Sequence, residues 1–298
     1  MWNTPEHSPE VGRILHLEHF NFEVPDQDMA TVFFMKGLGL TRDPYRRTDE
    51  TNMGVNIGRQ QLHLPVRGEG TPHFDGVVGL VVPDLDQVEA RLKVLQSHGA
   101  FTDTPFALVR EESAALITSP YGIRIRLHNA GSIPSLLPLG LAYVDYDTPE
   151  GSAEGIAAFY SEILGSPAHV VSYLGARTAE ITMGPHQTVR FIERGPGPFD
   201  HTRVHIAVYV SHYHKTRKAL AAMGIEVGEE RNGTFFWNRI LDPGTGKIIL
   251  AVGHETRSVY HPDFMRPLIN RWPMETEPFT DYGEVMAYID GKWIPRTH

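Results

Sequence analysis

Cysteine is absent from the 298 residues, which removes disulfides, thiolate zinc sites and cysteine nucleophiles together. A chain of this length buries about 75% of its unfolded surface, so it needs no such staple. Long apolar runs are missing too: no segment approaches the roughly 18 apolar residues of a membrane span, and no membrane partner is expected. Positive charge is scarce. Lys and Arg number 27 against 36 Asp and Glu, a net charge of −9, which argues against nucleic acid as a partner because nothing supplies a field to neutralise phosphates. The opening Met1-Trp2-Asn3-Thr4-Pro5-Glu6 lacks the basic stretch and apolar run of a secretory signal, so a cytoplasmic protein is expected. Phosphate loops, nucleophile elbows and dinucleotide fingerprints are also absent. Gly37 and Gly39 come after a helical run, the wrong order for a dinucleotide turn. Histidine is plentiful instead, at 16.

The stretch 17–26, Leu-Glu-His-Phe-Asn-Phe-Glu-Val-Pro-Asp, organises the rest. Alternation puts Phe20, Phe22 and Val24 on one face and His19, Asn21 and Glu23 on the other, a strand with one apolar side. Proline cannot donate to a ladder, so Val24-Pro25-Asp26 ends the strand, and Asp26 or Asp28 caps a helix that runs to Leu38 and stops at Gly39. The histidine points away from the helix-packed face.

This unit occurs four times. Copy one spans about 12–66, with strand 14–24, helix 28–38 and a closing strand through His63 and Leu64. Copy two opens with Val77-Val78-Gly79-Leu80-Val81-Val82-Pro83-Asp84, has a helix near 86–97, and closes on Ile123 to His128. Copy three starts near Gly140; its helix, near 152–164, carries Phe159-Tyr160 and Leu164-Gly165 against Phe33-Phe34 and Leu38-Gly39, a constant shift of 126 (159 − 33 and 165 − 39). Copy four opens at His205, has a helix near 213–223 and closes on Ile248-Ile249-Leu250. Breakers between Asn129 and Pro138 separate two halves, giving expected domains 1–130 and 139–254, each of two consecutive copies around one cleft. The segment 255–298 matches no copy. With Trp272, Trp293, Pro267, Pro273 and Pro278 it is too aromatic for a free tail, and is expected to pack on the body or on the second subunit of a homodimer.

Four βαβββ modules in an α+β chain resemble the vicinal oxygen chelate superfamily, the glyoxalase, bleomycin-resistance and extradiol-dioxygenase group. The resemblance covers about 12–254 and rests on Glu18 to Asp26, on Gly79 to Asp84, and on the Pro120-Tyr121-Gly122 and Asp242-Pro243-Gly244-Thr245-Gly246 turns before the closing strands.

That resemblance implies metal ligands at a mid-position of each copy's first strand and on its last strand. Carried over, the slots hold His19, His63, Val77 and Arg126 in the first half, and Ala142, Arg190, His205 and Ile249 or Leu250 in the second. The second half then keeps His205 alone and lacks the full set of two histidines and one carboxylate. The first offers His19 and His63, with His128 as a third ligand and Glu23 as a fourth or as the group that moves a proton. The alternative is two ordinary cleft histidines bonded to each other, to Gln61 or to water. Arg126 would receive a substrate carboxylate or enolate, or else pair internally with Glu23 or Glu111. His212-Tyr213-His214 reads as a solvated helix start, and His254-Glu255 as surface or tail-packing residues. The expected function is an enzyme using a divalent metal (Fe, Zn, Ni or Mn) on a small oxygenated substrate. A metal-free binding protein of the bleomycin-resistance type is the alternative.

Overall fold

The Met29 amide donates to the Asp26 carboxylate at 2.7 Å, and the Gln87 amide to Asp84 at 2.9 Å. Each Val-Pro-Asp thus caps the next helix, as expected; the second directly follows a strand ending at Val82, whereas the strand before the first ends at Asn21 rather than at Val24. The computed structural model describes residues 14–43, 51–66, 73–268, 286–289 and 292–295.

Copy one comprises β1 (Ile14–Asn21), α1 (Gln27–Ala30), β2 (Thr41–Arg42), β3 (Asn52–Ile57) and β4 (Gln60–Pro65). Copy two has β5 (Gly76–Val82), α2 (Leu85–Ser97), β6 (Ala107–Arg110), β7 (Ala114–Thr118) and β8 (Arg124–Asn129). Copy three has β9 (Gly140–Pro149), α3 (Ala153–Ala158), β10 (Ala168–Tyr173), β11 (Ala176–Gly184) and β12 (Gln187–Gly195). Copy four has β13 (Asp200–Val210), α4 (Tyr213–Ala222), β14 (Thr234–Leu241) and β15 (Ile248–Ser258). A hairpin of β16 (Met286–Ile289) and β17 (Lys292–Pro295) follows.

The strands form two mixed sheets, ordered β14-β15-β13-β1-β4-β3-β2 and β10-β11-β12-β9-β5-β8-β7-β6. The α+β fold of four modules is therefore present, but copy one shares a sheet with copy four and copy two with copy three. This corrects the expected pairing of consecutive copies. Alternation fixes which face of a strand is apolar, yet every copy offers a similar first strand, and nothing local says which other first strand it will meet. The chain divides into two compact units. One combines Met1–Phe20, Phe74–Val78 and Ala142–Arg266; the other combines Asn21–His73, Gly79–Leu141 and Pro267–His298. Neither is a contiguous half, so the boundaries 1–130 and 139–254 do not describe them. Residues 255–258 belong to β15 rather than to an extension, and Trp272 lies outside the described residues.

The helices of copies one and three depart from the expected α form. Thr31–Gly37 and Phe159–Ile163 are π-helical. Successive α-helical side chains diverge by about 100°, whereas a wider turn brings neighbours closer to one face. Phe33 and Phe34 are both fully buried, as are Phe159 and Tyr160, so the repeated aromatic pair exploits that wider turn. Each helix then stops at a glycine with positive φ, +74° at Gly39 and +68° at Gly165, where a side chain would be strained.

In the first unit the core is aromatic. Tyr146 stacks on Phe191 at 5.2 Å, Phe191 meets Tyr160 at 5.6 Å, and Phe159 meets Trp237 at 5.7 Å. Phe20 joins them at 6.4 Å from Tyr146, so the alternation in β1 sends Phe20 inward and leaves the opposite face to His19. In the other unit, Leu85, Val88, Leu92 and Leu95 line the buried face of α2 at helical spacing.

Candidate metal centre

Two parallel strands, β13 and β15, run side by side with His205 opposite Gly253, Ala207 opposite Glu255 and Tyr209 opposite Arg257. Alternation puts these six residues on one face. It sends Ile206, Val208, His254 and Thr256 to the other, where all four are buried. Gly253 leaves room for the histidine: a Cβ there would stand 2.5 Å from the Val204 carbonyl oxygen and 2.8 Å from the His205 Cβ.

Three donor atoms converge on the first face. His19 Nε2 lies 3.3 Å from His205 Nε2 and 3.4 Å from Glu255 Oε2, and His205 Nε2 lies 3.4 Å from the same oxygen. Two partners of the triangle are fixed from behind. His19 Nδ1 donates to the Glu18 carboxylate, which turns Nε2 toward the other two donors. Arg257 Nε donates to Glu255 Oε1 at 2.5 Å, and its Nη1 donates to Glu18 Oε2 at 2.9 Å and to the Tyr209 hydroxyl at 3.4 Å. One guanidinium therefore ties together the carboxylate in the triangle and the carboxylate that orients the histidine.

The electrostatics follow from that arrangement. Burial opposes ionisation of Glu255, but His19, His205 and Arg257 outweigh it and hold the carboxyl well below the usual range. Burial also works against the Arg257 charge, yet Glu18 and Glu255 raise its pKa above the ordinary guanidinium value. Burial pushes the Tyr209 hydroxyl up to about 12, with Glu18 adding to the effect. On the reverse face His254 is neutral. Its Nδ1 donates to the Val252 carbonyl at 3.1 Å, its Nε2 accepts from the Tyr160 hydroxyl at 2.5 Å, and its ring stacks on Trp237 at 3.7 Å. It is a packing residue, not a ligand.

The donor set fits a divalent first-row cation. Two imidazole nitrogens and one carboxylate oxygen are common ligands of such ions. Separations of 3.3 and 3.4 Å suit neighbours around an ion bound at about 2.0–2.2 Å. An anionic oxygen facing two ring nitrogens also calls for a positive charge among them.

Of the residues expected from sequence, His19 is in this triangle. His205 appeared as a lone histidine beside Ile249; the structure corrects this, because β15 runs to Ser258 and presents Glu255 six residues later. Glu255 and His254 are 7% and 1% exposed, not surface residues. His63 lies on β4 of the other unit, and its Nε2 donates to Gln61 Oε1 at 3.0 Å, while the Gln61 amide donates to Asp43 and Asn56. His128, on β8, stands opposite Ala114. Arg126 is ion-paired to Glu111 at 3.1 Å, and Glu23 is half-buried beyond the end of β1. His212, expected at a solvated helix start, is 3% exposed, with its Nδ1 held by the Ser211 hydroxyl. A cavity of about 770 Å³, lined by Met35, Leu40, Val88, Leu95 and Leu139, also belongs to that other unit.

The slot assigned to Ala142 is corrected as well. Asp145 stands 126 residues after His19 and is buried at 3% exposure. There Arg190 Nε donates to it at 2.7 Å, with the guanidinium lying 4.1 Å and 4.0 Å from the Tyr143 and Tyr173 rings. Where copy one carries His19, copy three carries an ion pair. The 126-residue shift was the signal for Asp145, and the Gly253-Glu255-Arg257 alternation was the signal for Glu255.

The sequence matches no protein-family model and no curated protein. The structure is similar to that of a Bacillus subtilis subsp. subtilis str. 168 protein provisionally named a dioxygenase, with TM-score 0.57, 14% identity, and coverage of 89% of this chain and 94% of that one. It is also similar to glyoxalase I from Zea mays, with TM-score 0.54, 14% identity, and coverage of 84% and 94%. A variant of the maize protein aligns with TM-score 0.57 over the same shares. The chain shares the fold of these proteins.

Proposed function

We propose that this protein is a divalent-metal-dependent enzyme acting on a small oxygenated organic molecule, with His19, His205 and Glu255 holding the ion. The observation that carries the reading is the mutual approach of three donor atoms from three different strands, at 3.3 and 3.4 Å. A bound iron, zinc, nickel or manganese ion would supply Lewis-acid polarisation of two neighbouring substrate oxygens.

The chain's own part is preorganisation. Glu18 sets the tautomer of His19, so that the ring presents a lone pair rather than a proton. Arg257 restrains Glu255 through its outer oxygen and leaves the inner one toward the histidines. Three protein ligands is the number that catalytic sites use, because a further position is left for substrate. This reading keeps His19 from the sequence-based set and substitutes His205 and Glu255 for His63 and His128.

Elemental analysis of protein purified without an affinity tag tests it. About one equivalent of metal in the wild type, lost in His205→Ala and Glu255→Gln with circular dichroism unchanged, supports the enzyme. No metal in the wild type, or retention in both variants, rejects it and favours metal-free ligand sequestration.

A further inference from the structure

The three donors are unequally accessible. The His19 side chain is 0% exposed and Glu255 9%, whereas His205 is 17% exposed. The open side of the triangle is therefore the His205 side, and an aromatic residue stands on it. Phe236 stands opposite Glu255 in the β14–β15 register and so shares its face. The Phe236 ring meets the His205 imidazole nearly perpendicularly, at 86° and 5.9 Å between centroids.

Its neighbours show that this placement is specific to one face. Phe235 and Trp237 turn to the opposite side and are 0% and 4% exposed in the aromatic core. Phe236 is 48% exposed, beside Glu255 and Arg257 of the site face, which are 7% and 3% exposed. Burial of an apolar ring is favourable in proportion to the area removed from water. A phenyl ring left half in water at the rim of a polar donor set is a surface for an apolar group to cover.

We infer that Phe236 determines specificity: the ligand of this site carries an apolar, ring-sized body next to its chelating oxygens, and that body packs on Phe236 beside His205. The inference rests on the proposed metal reading and deepens it by naming the kind of molecule attached to the oxygens. A small, wholly polar chelator would leave the ring in water. An apolar body would remove it.

Two probes with the same chelating head separate body from head. Benzohydroxamate carries a phenyl ring and acetohydroxamate a methyl group. Wild type, Phe236→Ala and Phe236→Leu are loaded with cobalt(II), and cobalt uptake is measured in all three before either probe is titrated by visible absorbance. The expected result is equal cobalt uptake and an about ten-fold weaker binding of benzohydroxamate by Phe236→Ala. Phe236→Leu should lie between, and acetohydroxamate should change less than two-fold throughout. Equal weakening of both probes, or no weakening of either, overturns the inference while leaving the metal reading intact. Absence of cobalt uptake by the wild type overturns the metal reading, and this inference with it. Sedimentation velocity adds a separate arm: a dimer in the wild type that dissociates in Phe236→Ala, without loss of probe selectivity, assigns the ring to a subunit interface and rejects its role in ligand binding.

Discussion

Arg257 holds Glu255 at 2.5 Å and Glu18 at 2.9 Å, so a single buried cation serves both the carboxylate that faces the histidines and the one that orients His19. Removing it leaves two buried anions with less compensation. Arg257→Met is expected to cost about 3–5 kcal/mol in urea unfolding and to weaken metal binding by about 10–100-fold. Arg257→Lys should recover part of the stability but less of the affinity, because an ammonium lacks the fork that spans two carboxylates. Retention of full metal affinity in Arg257→Met would show that Glu255 and Glu18 are held by other contacts.

Gly253 faces His205 across β13 and β15, and a Cβ there has no room. The close atoms are a backbone oxygen and a Cβ, neither of which swings aside. Gly253→Ala is therefore expected to destabilise the fold by about 1–3 kcal/mol and to displace His205 enough to lower metal affinity. Thermal unfolding and cobalt titration check the two effects. An unchanged affinity would mean that the strands separate without moving the ring.

His254 links stability to pH. Burial pushes its imidazole down from 6.5 to about 3, against the Val252 carbonyl bond and with His205 adding to the drop. The unfolded chain takes up the proton near the ordinary value, and the folded one resists it. The contribution of His254 is thus full above about pH 6.5 and falls as pH drops toward about 3, by about 1.4 kcal/mol per unit. In His254→Gln, unfolding free energies measured between pH 7 and 4 should show a shallower decline than in the wild type. An identical slope in both would assign the pH dependence to other groups.

Arg190 and Asp145 make the converse test. Their ion pair stands where copy one has His19, and neither belongs to the donor triangle. Arg190→Ala should destabilise the protein by about 3–5 kcal/mol, since Asp145 would be left as a buried charge, yet metal content should not change. Removing the cation between Tyr143 and Tyr173 also forfeits two cation–π contacts at 4.1 and 4.0 Å. Loss of metal in a folded Arg190→Ala would place a second cation site in the other sheet.

The sequence by itself determined the modules. Val24-Pro25-Asp26 and Val81-Val82-Pro83-Asp84 marked where helices are capped, and the 126-residue shift matched the aromatic pair Phe33-Phe34 to Phe159-Tyr160. It also put His19 on the right face, because period-two alternation is a local property of an extended chain. Tertiary structure decided the rest. Which first strand lies beside which depends on the packing of whole modules, and so His19 acquires His205 and Glu255 from residues almost two hundred positions away or more. Glu255 falls outside the repeat pattern for the same reason: β15 continues beyond the end of the repeat, and its extra length is stabilised by the parallel ladder to β13. A donor set assembled from three strands has no spacing signature in the chain, since the distances that define it exist only after the strands have paired.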